Sequence, residues 1–159
     1  MSQPKIGDVA PIFSLPRDGG EDKVVNLFDF ENQYLVLYFY PKDDTPGCTT
    51  EATEFTTHKA KFEKLGASIV GVSKDTTQKH DKFIAKHGLD IILGADVEGQ
   101  VTEDYGVWVE KKMYGKTYMG IQRATFLIGP NGMILHSWPK VRVKGHVDDV
   151  LNTLRQYVT

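Results

Sequence analysis

Apolar residues along the chain fall into short runs separated by amphipathic stretches, an alternation typical of an α/β protein. The clearest run covers residues 34–40, seven uncharged and mostly aromatic or branched side chains. It is long enough for a buried strand and too short for a helix. Similar runs predict further strands at residues 68–73, 91–93, 123–128 and 133–138.

Between these strands, apolar residues recur at intervals of three and four, which predicts amphipathic helices. The first two end just before a glycine, the residue that most often follows a helix. Residues 34–73 therefore form one β-α-β unit, and the turn at 129–132 joins the last two strands as a hairpin. The predicted helices are residues 47–65, 76–87, 99–105 and 145–158.

Two stretches are less regular. Residues 11–28 alternate weakly around a pair of glycines, which predicts a short N-terminal hairpin. Residues 107–121 contain glycine and tryptophan interruptions and a basic cluster, and their pattern favours no single element. With 159 residues the chain fits one domain, residues 1–159, large enough to bury a core without disulfides or metal. The pattern alone supports an α/β sandwich.

Composition narrows the possible partners. Hydrophobic residues make up 40% of the chain, charged residues 25%, and the net charge is −2, so nucleic acid and anionic membranes are not expected partners. The first residues lack the apolar segment of a signal peptide, and no apolar run approaches the ~20 residues of a membrane span. A single cysteine suits a reducing compartment, and we expect a cytoplasmic protein.

That single cysteine, Cys48, lies where the apolar run gives way to the first helix. Thr45 is a plausible N-cap, and Pro46 fits the first helical position. Cys48 then occupies the first turn, beside free backbone N–H groups and the positive end of the helix dipole, a position that favours a thiolate. The alternative is a small buried apolar residue with no chemistry.

The residues around this cysteine resemble a known family. PKDDTPGC, residues 41–48, is similar to the P-x-x-x-T-x-x-C motif of the peroxiredoxins, and the longer FYPKDDTPGCTTEA resembles their bacterioferritin comigratory protein or PrxQ subgroup. The resemblance implies a thioredoxin-like fold, with a central mixed β-sheet flanked by helices and an N-terminal β-hairpin extension. The likeness continues in GDVAPIF at 7–13, GVW at 106–108, GK at 115–116 and RATFLI at 123–128.

The activity implied by this resemblance is thiol-dependent reduction of hydrogen peroxide and organic hydroperoxides through a Cys48 sulfenic acid, with no cofactor or metal. Such chemistry needs donors aimed at the breaking O–O bond. Candidates are the Thr45 hydroxyl, unless it only caps the helix, and the backbone N–H groups of Gly47 and Cys48. Arg123 opens a strand expected beside residues 34–40, and the family carries its active-site arginine there.

The same match assigns two more residues. Pro41 would shield the thiolate from water, although it could equally well just end the strand. Glu51 resembles the family's orienting carboxylate near the arginine.

One departure from the family affects the mechanism. Many PrxQ proteins carry a second, resolving cysteine five residues after the first, where this chain has Thr53, or on the next helix, where it has none. We therefore predict a one-cysteine cycle in which an external thiol (thioredoxin, glutaredoxin or glutathione) restores Cys48. An intermolecular Cys48 disulfide would need the site to open, and we expect a monomer or a weak homodimer.

Other functions find less support. A thiol transferase on the same fold is disfavoured because a C-x-x-C pair is absent, and a redox-sensing or holdase module stays open as an alternative. The histidines show no metal-binding spacing. His58, His80 and His87 lie on apolar helix faces, and we interpret them as partly buried packing residues.

Overall fold

The uncharged run that begins at Tyr34 forms the central strand of a five-stranded sheet in the computed structural model of the chain, which describes residues 2–20 and 22–158. The strands, in chain order, are β1 (Ser14–Pro16), β2 (Val24–Asn26), β3 (Tyr34–Phe39), β4 (Ala67–Ser73), β5 (Ile92–Ala95), β6 (Trp108–Met113), β7 (Lys116–Ile121), β8 (Ala124–Ile128) and β9 (Ile134–Trp138). The helices are α1 (Pro46–Lys64), α2 (Thr77–His87), α3 (Gln100–Asp104) and α4 (His146–Tyr157), with a 3₁₀ helix at Leu27–Phe30.

The central sheet is mixed, with the strand order β5-β4-β3-β8-β9. Strands β3, β4 and β5 run parallel, whereas β8 pairs antiparallel with both β3 and β9. The β-α-β unit of β3, α1 and β4 therefore meets the β-β-α unit of β8, β9 and α4 at the β3–β8 pair. The prediction of a thioredoxin-like fold is confirmed. Each helix and strand predicted in these units lies within two residues of its observed bounds.

Both faces of this sheet are buried, which explains why β3 is apolar throughout rather than alternating. On one face, Val36 and Tyr38 pack in a core that includes side chains from α1, α2 and α4. On the other face, Leu35, Leu37 and Phe39 pack with the N-terminal segment and with side chains around α3. The carboxyl end of β3 thus leads into the loop that precedes α1.

Outside the central sheet lie two hairpins. The predicted N-terminal hairpin is confirmed as the short β1–β2 pair. The stretch that the sequence pattern left unassigned forms the β6–β7 hairpin, with a turn in which Tyr114 and Gly115 both have positive φ angles. Most of its side chains are exposed, so the strands do not show the alternation of apolar and polar residues by which a half-buried strand is predicted. Within the described residues, no helix combines the length and the apolar character needed to cross a membrane.

Candidate active site

The loop between β3 and α1, residues 40–45, sets the position of the cysteine, and we call it the active-site loop. Thr45 occupies the N-cap position with an extended backbone, and Pro46 is the first helical residue, as predicted. The prediction that the Thr45 side chain caps the helix is wrong. Its hydroxyl turns back and donates to the Lys42 carbonyl oxygen at 2.8 Å, so it belongs to the loop rather than to the helix end.

Cys48 lies in the first turn of α1 and is only 2% exposed. It belongs to a buried cluster that also includes Tyr38 and Ala52. Its sulfur accepts a hydrogen bond from Arg123 Nη2 at 3.3 Å. The alternative of an unreactive Cys48 predicted its burial, which is observed. The buried sulfur is, however, also in direct contact with a positive charge.

Arg123 reaches the sulfur because of the sheet register. It immediately precedes β8, whose first residue, Ala124, pairs with Phe39 at the end of β3. The backbone of Arg123 therefore lies beside the start of the active-site loop, and its carbonyl oxygen also accepts from Val141 N–H at 2.9 Å. Burial alone would lower the pKa of Arg123, but Glu51 and Cys48 outweigh that effect and raise it, so the guanidinium stays charged.

Glu51 lies on the same face of α1, three residues after Cys48, and its side chain is fully buried. Its Oε1 accepts from Arg123 Nη1 at 2.7 Å, while its buried Oε2 has no hydrogen-bond partner among the residues that the structure describes. Burial raises the Glu51 pKa to about 7, even though the adjacent Arg123 acts to lower it. The guanidinium therefore bridges the sulfur and a carboxyl group that is only partly satisfied.

Gly47 leaves the room that this bridge needs. A Cβ atom built at Gly47 would lie 3.1 Å from Arg123 Nη2 and 3.9 Å from Val143 Cγ2. A side chain at this position would push the guanidinium away from the sulfur. Pro41 is exposed at the start of the loop, so the expectation that it shields the sulfur stays a prediction.

Tyr38 lies near the same site, on β3. Its hydroxyl is buried and finds no hydrogen-bond partner within residues 2–20 and 22–158. Burial raises the Tyr38 pKa well above its usual range, and the nearby Glu51 and Cys48 raise it further. Gly71, its register partner on β4, makes room for the ring, because an added Cβ would lie 2.7 Å from it.

Sequence reasoning missed the partners of His80. It was expected to be a partly buried packing residue, but it is completely buried and hydrogen-bonded to Asp43 in the active-site loop at 2.6 Å. Nothing local could reveal this pair, because 37 residues separate the two side chains. The spacing of His80 on α2 indicated only that it faces inward.

His146 is a second buried histidine near the site. Its Nε2 lies 2.8 Å from the Thr125 hydroxyl, and burial lowers its pKa to about 4, so the ring is neutral at neutral pH. Among residues 2–20 and 22–158, no group of three or more His, Cys, Asp or Glu side chains is arranged to hold a metal ion.

The chain is similar to known proteins over most of its length. The AhpC/TSA family matches residues 6–137. Peroxiredoxin Bcp of Bacillus subtilis is 49% identical over 151 residues, which cover 95% of each chain. A cysteine-to-serine variant of Xylella fastidiosa PrxQ superposes with a TM-score of 0.93 at 40% identity over all of both chains. The bacterioferritin comigratory protein of Xanthomonas campestris, for which alkyl peroxide reduction activity is described, has a TM-score of 0.88 at 39% identity, covering 96% of this chain and all of that one.

Proposed function

The chain belongs to the AhpC/TSA family, with the Bcp and PrxQ peroxiredoxins as its relatives, and on this basis we propose that it is a thiol-dependent peroxidase. Its substrates are hydrogen peroxide and organic hydroperoxides, and alkyl peroxide reduction by the Xanthomonas relative supports the organic class. Cys48 is the residue that is oxidised.

The observation that carries this proposal is the shared guanidinium. Arg123 donates to the Cys48 sulfur at 3.3 Å with one nitrogen and to Glu51 at 2.7 Å with the other. A planar guanidinium held by two acceptors cannot turn away from the sulfur. It therefore offers a fixed positive charge both to the thiolate and to the negative charge that develops on the peroxide oxygens.

In the first step the Cys48 thiolate attacks one peroxide oxygen, and an S–O bond forms as the O–O bond breaks. The sulfur is oxidised to a sulfenic acid, and the leaving hydroxide or alkoxide takes up a proton to become water or an alcohol. For a protein thiol, lowering the pKa from about 8.5 to about 6 raises the thiolate fraction at about pH 7 some thirty-fold. The weaker nucleophile loses roughly ten-fold of this gain. Most of the acceleration must therefore come from stabilising the breaking O–O bond.

Thr45 has a defined role in this scheme. Because its hydroxyl proton is donated to the Lys42 carbonyl, its oxygen is free to accept a hydrogen bond from the O–H of a hydroperoxide. The Gly47 and Cys48 N–H groups at the start of α1 add donors for the substrate oxygens. Pro41 and Glu51 complete the site, Pro41 by limiting water access and Glu51 by holding the arginine.

Recycling follows a one-cysteine cycle, because the chain has no second cysteine. An external thiol attacks the sulfenic acid and releases water, and a second thiol reduces the mixed disulfide to restore Cys48. Thioredoxin, a glutaredoxin or glutathione would serve as this reductant. A cycle that depends on thiols requires a reducing compartment, so we place the protein in the cytoplasm, as a monomer or weak homodimer.

A single-turnover experiment tests the proposal. The reduced protein is mixed with a sub-stoichiometric amount of hydrogen peroxide in the presence of a sulfenic-acid probe, and labelling of Cys48 is followed by mass spectrometry. We expect labelling roughly a hundred-fold or more faster than that of free cysteine, and a loss of similar size in Arg123→Ala. Arg17→Ala, which removes an arginine paired with Asp18 away from the sulfur, is the matched control and should label at the wild-type rate.

Two results would contradict the peroxidase. Labelling no faster than that of free cysteine would favour a redox-sensing or holdase module. Rapid exchange with a disulfide substrate, without fast oxidation by peroxide, would favour a thiol transferase. Circular dichroism of both arginine variants must match the wild type for the comparison to hold.

A further inference from the structure

A second buried polar cluster includes Asp43 of the active-site loop. Its centre is His80, whose ring is completely buried. Nδ1 of His80 lies 2.6 Å from Asp43 Oδ2, and Nε2 lies 2.9 Å from the Gly94 carbonyl oxygen. The other oxygen of Asp43 accepts from the Tyr40 hydroxyl at 2.6 Å.

The contacts of His80 fix the number of protons in this cluster. A carbonyl oxygen only accepts hydrogen bonds, so Nε2 of His80 must carry a proton. If Nδ1 carried none and Asp43 were ionised, a lone pair would face a carboxylate oxygen at 2.6 Å, which is repulsive. One proton is therefore held between His80 and Asp43, and it joins α2 to the loop by a short hydrogen bond.

The loop backbone is held at the adjacent peptide bond. The N–H of Asp43 donates to Asp75 Oδ2 at 2.8 Å, and that carboxylate also accepts from the Ser73 hydroxyl at 2.7 Å. The carbonyl of the same peptide unit belongs to Lys42, and it is the acceptor for the Thr45 hydroxyl. Because a peptide unit is planar, fixing its N–H fixes the direction of its C=O. The direction of that carbonyl determines where the Thr45 hydroxyl proton points.

From these contacts we propose that His80 is a positioning residue of the peroxidase site. Through Asp43, it holds the Lys42–Asp43 peptide unit so that the Thr45 hydroxyl donates to the loop and offers its lone pairs to the substrate. A one-cysteine cycle does not require α2 to supply a sulfur to Cys48, so α2 can stay fixed to the loop throughout the reaction. The inference rests on the proposed peroxidase function and adds a residue that does not touch the substrate.

The test is a double-mutant cycle between His80 and Thr45, measured as the rate constant for Cys48 oxidation by hydrogen peroxide in single turnover. His80→Gln replaces the rigid ring, which sets the spacing between Asp43 and the Gly94 carbonyl, with a flexible amide, and we expect it to lower the rate constant by up to about ten-fold. Thr45→Val removes the hydroxyl that His80 is proposed to position. The double variant should then be no slower than Thr45→Val alone, because the two residues act through one group.

Three further measurements separate positioning from a merely structural role. Alkylation of Cys48 by iodoacetamide, which does not use the Thr45 hydroxyl, should stay within about three-fold of the wild type in His80→Gln. Asp43→Asn should retain the fast reaction, since its amide can donate to a neutral His80 and its oxygen can accept from Tyr40. His58→Gln, at a histidine of α1 whose Nε2 lies 3.5 Å from the exposed Asp148, is the control and should react at the wild-type rate.

The possible outcomes are distinct. A wild-type rate in His80→Gln, or losses that add with those of Thr45→Val, would overturn the inference while leaving the peroxidase intact. Slow oxidation of the wild-type protein itself would instead remove the proposed function. Should His80→Gln fail to fold, Tyr40→Phe, which removes one hydrogen bond to Asp43 and preserves the packing, takes its place in the same cycle.

Discussion

Two buried polar clusters adjoin the active-site loop, and they differ in how completely their hydrogen bonds are satisfied. The histidine cluster consists of Tyr40, Asp43, Ser73, Asp75 and His80. The sulfur cluster consists of Tyr38, Cys48, Glu51 and Arg123. Over residues 2–20 and 22–158, three buried side-chain oxygens lack a partner, and two of them, Glu51 Oε2 and the Tyr38 hydroxyl, are in the sulfur cluster. None is in the histidine cluster.

This difference distinguishes the histidine cluster, which supports the loop, from the sulfur cluster, which contains the reactive cysteine. A fully bonded network resists displacement, because any movement leaves a buried group unpaired. Such a network suits the part of the loop around Asp43, which must keep its position. Unpaired groups cost stability, and they persist at sites where a substrate or a change of charge will use them. The unpaired groups of the sulfur cluster thus lower the free energy of unfolding, and the histidine cluster has no such groups.

The largest effect should come from weakening the centre of the sulfur cluster. Arg123→Lys keeps the positive charge but loses the planar fork that reaches both Cys48 and Glu51. We expect the rate constant for Cys48 oxidation by peroxide to fall about 100-fold, or about 3 kcal/mol of transition-state stabilisation. Stopped-flow oxidation of reduced protein measures it. Arg17→Lys is the control, and a lysine at position 123 that retained the full rate would show that charge alone is sufficient.

Glu51 provides a pH-dependent measure of the cost of the sulfur cluster. Its folded-state pKa is about 7, above the ordinary glutamate value of 4.5, because burial disfavours the carboxylate. The folded protein therefore holds a proton that the unfolded chain releases, and stability falls as the pH rises from about 4.5 to about 7. In Glu51→Gln this loss disappears. We expect the variant to gain roughly 3 kcal/mol in unfolding free energy relative to the wild type across that range.

Comparison with the variant is essential because His146 has the opposite pH dependence. Its folded-state pKa is about 4, below the ordinary histidine value of 6.5, because burial disfavours the charged ring. Its contribution to stability is complete above about pH 6.5 and is lost as the pH falls toward about 4. The two trends oppose each other in the wild type. Urea unfolding of both proteins at several pH values isolates the Glu51 contribution, and a constant difference between them would mean that Glu51 is ionised throughout.

The same contrast explains what sequence reasoning could find. The β3 strand, the start of α1 and the location of Cys48 depend on local patterns, and they were predicted to within a residue. Arg123 lies 75 residues from Cys48, and only the family resemblance identified it. His80 had neither a local motif nor a matched family residue, so its spacing predicted burial but not its bond to Asp43. The orientation of the Thr45 hydroxyl depends on the loop conformation, which capping rules did not predict.

Thr45→Val should have a smaller effect than Arg123→Lys. The substitution keeps the shape of the side chain and removes the oxygen proposed to accept from the hydroperoxide. We expect oxidation of Cys48 by peroxide to slow roughly ten-fold, which corresponds to about 1.4 kcal/mol. Thr45→Ser restores a hydroxyl and should recover most of the rate. If Thr45→Val slowed alkylation by iodoacetamide as much as oxidation, the hydroxyl would act on the thiol and not on the substrate.

The smallest expected effect compares the two clusters most directly, through a tyrosine in each. The Tyr40 hydroxyl donates to Asp43 at 2.6 Å, whereas the equally buried Tyr38 hydroxyl has no partner in the described part of the chain. Tyr40→Phe leaves a buried carboxyl oxygen without its donor, so the unfolding free energy should fall by about 1–3 kcal/mol. Tyr38→Phe removes an unpaired polar atom and should leave stability unchanged or raise it by about 1 kcal/mol. Urea denaturation measures both variants. Equal losses would mean that the Tyr38 hydroxyl is bonded in solution, and the sulfur cluster would then be as well satisfied at this position as the histidine cluster.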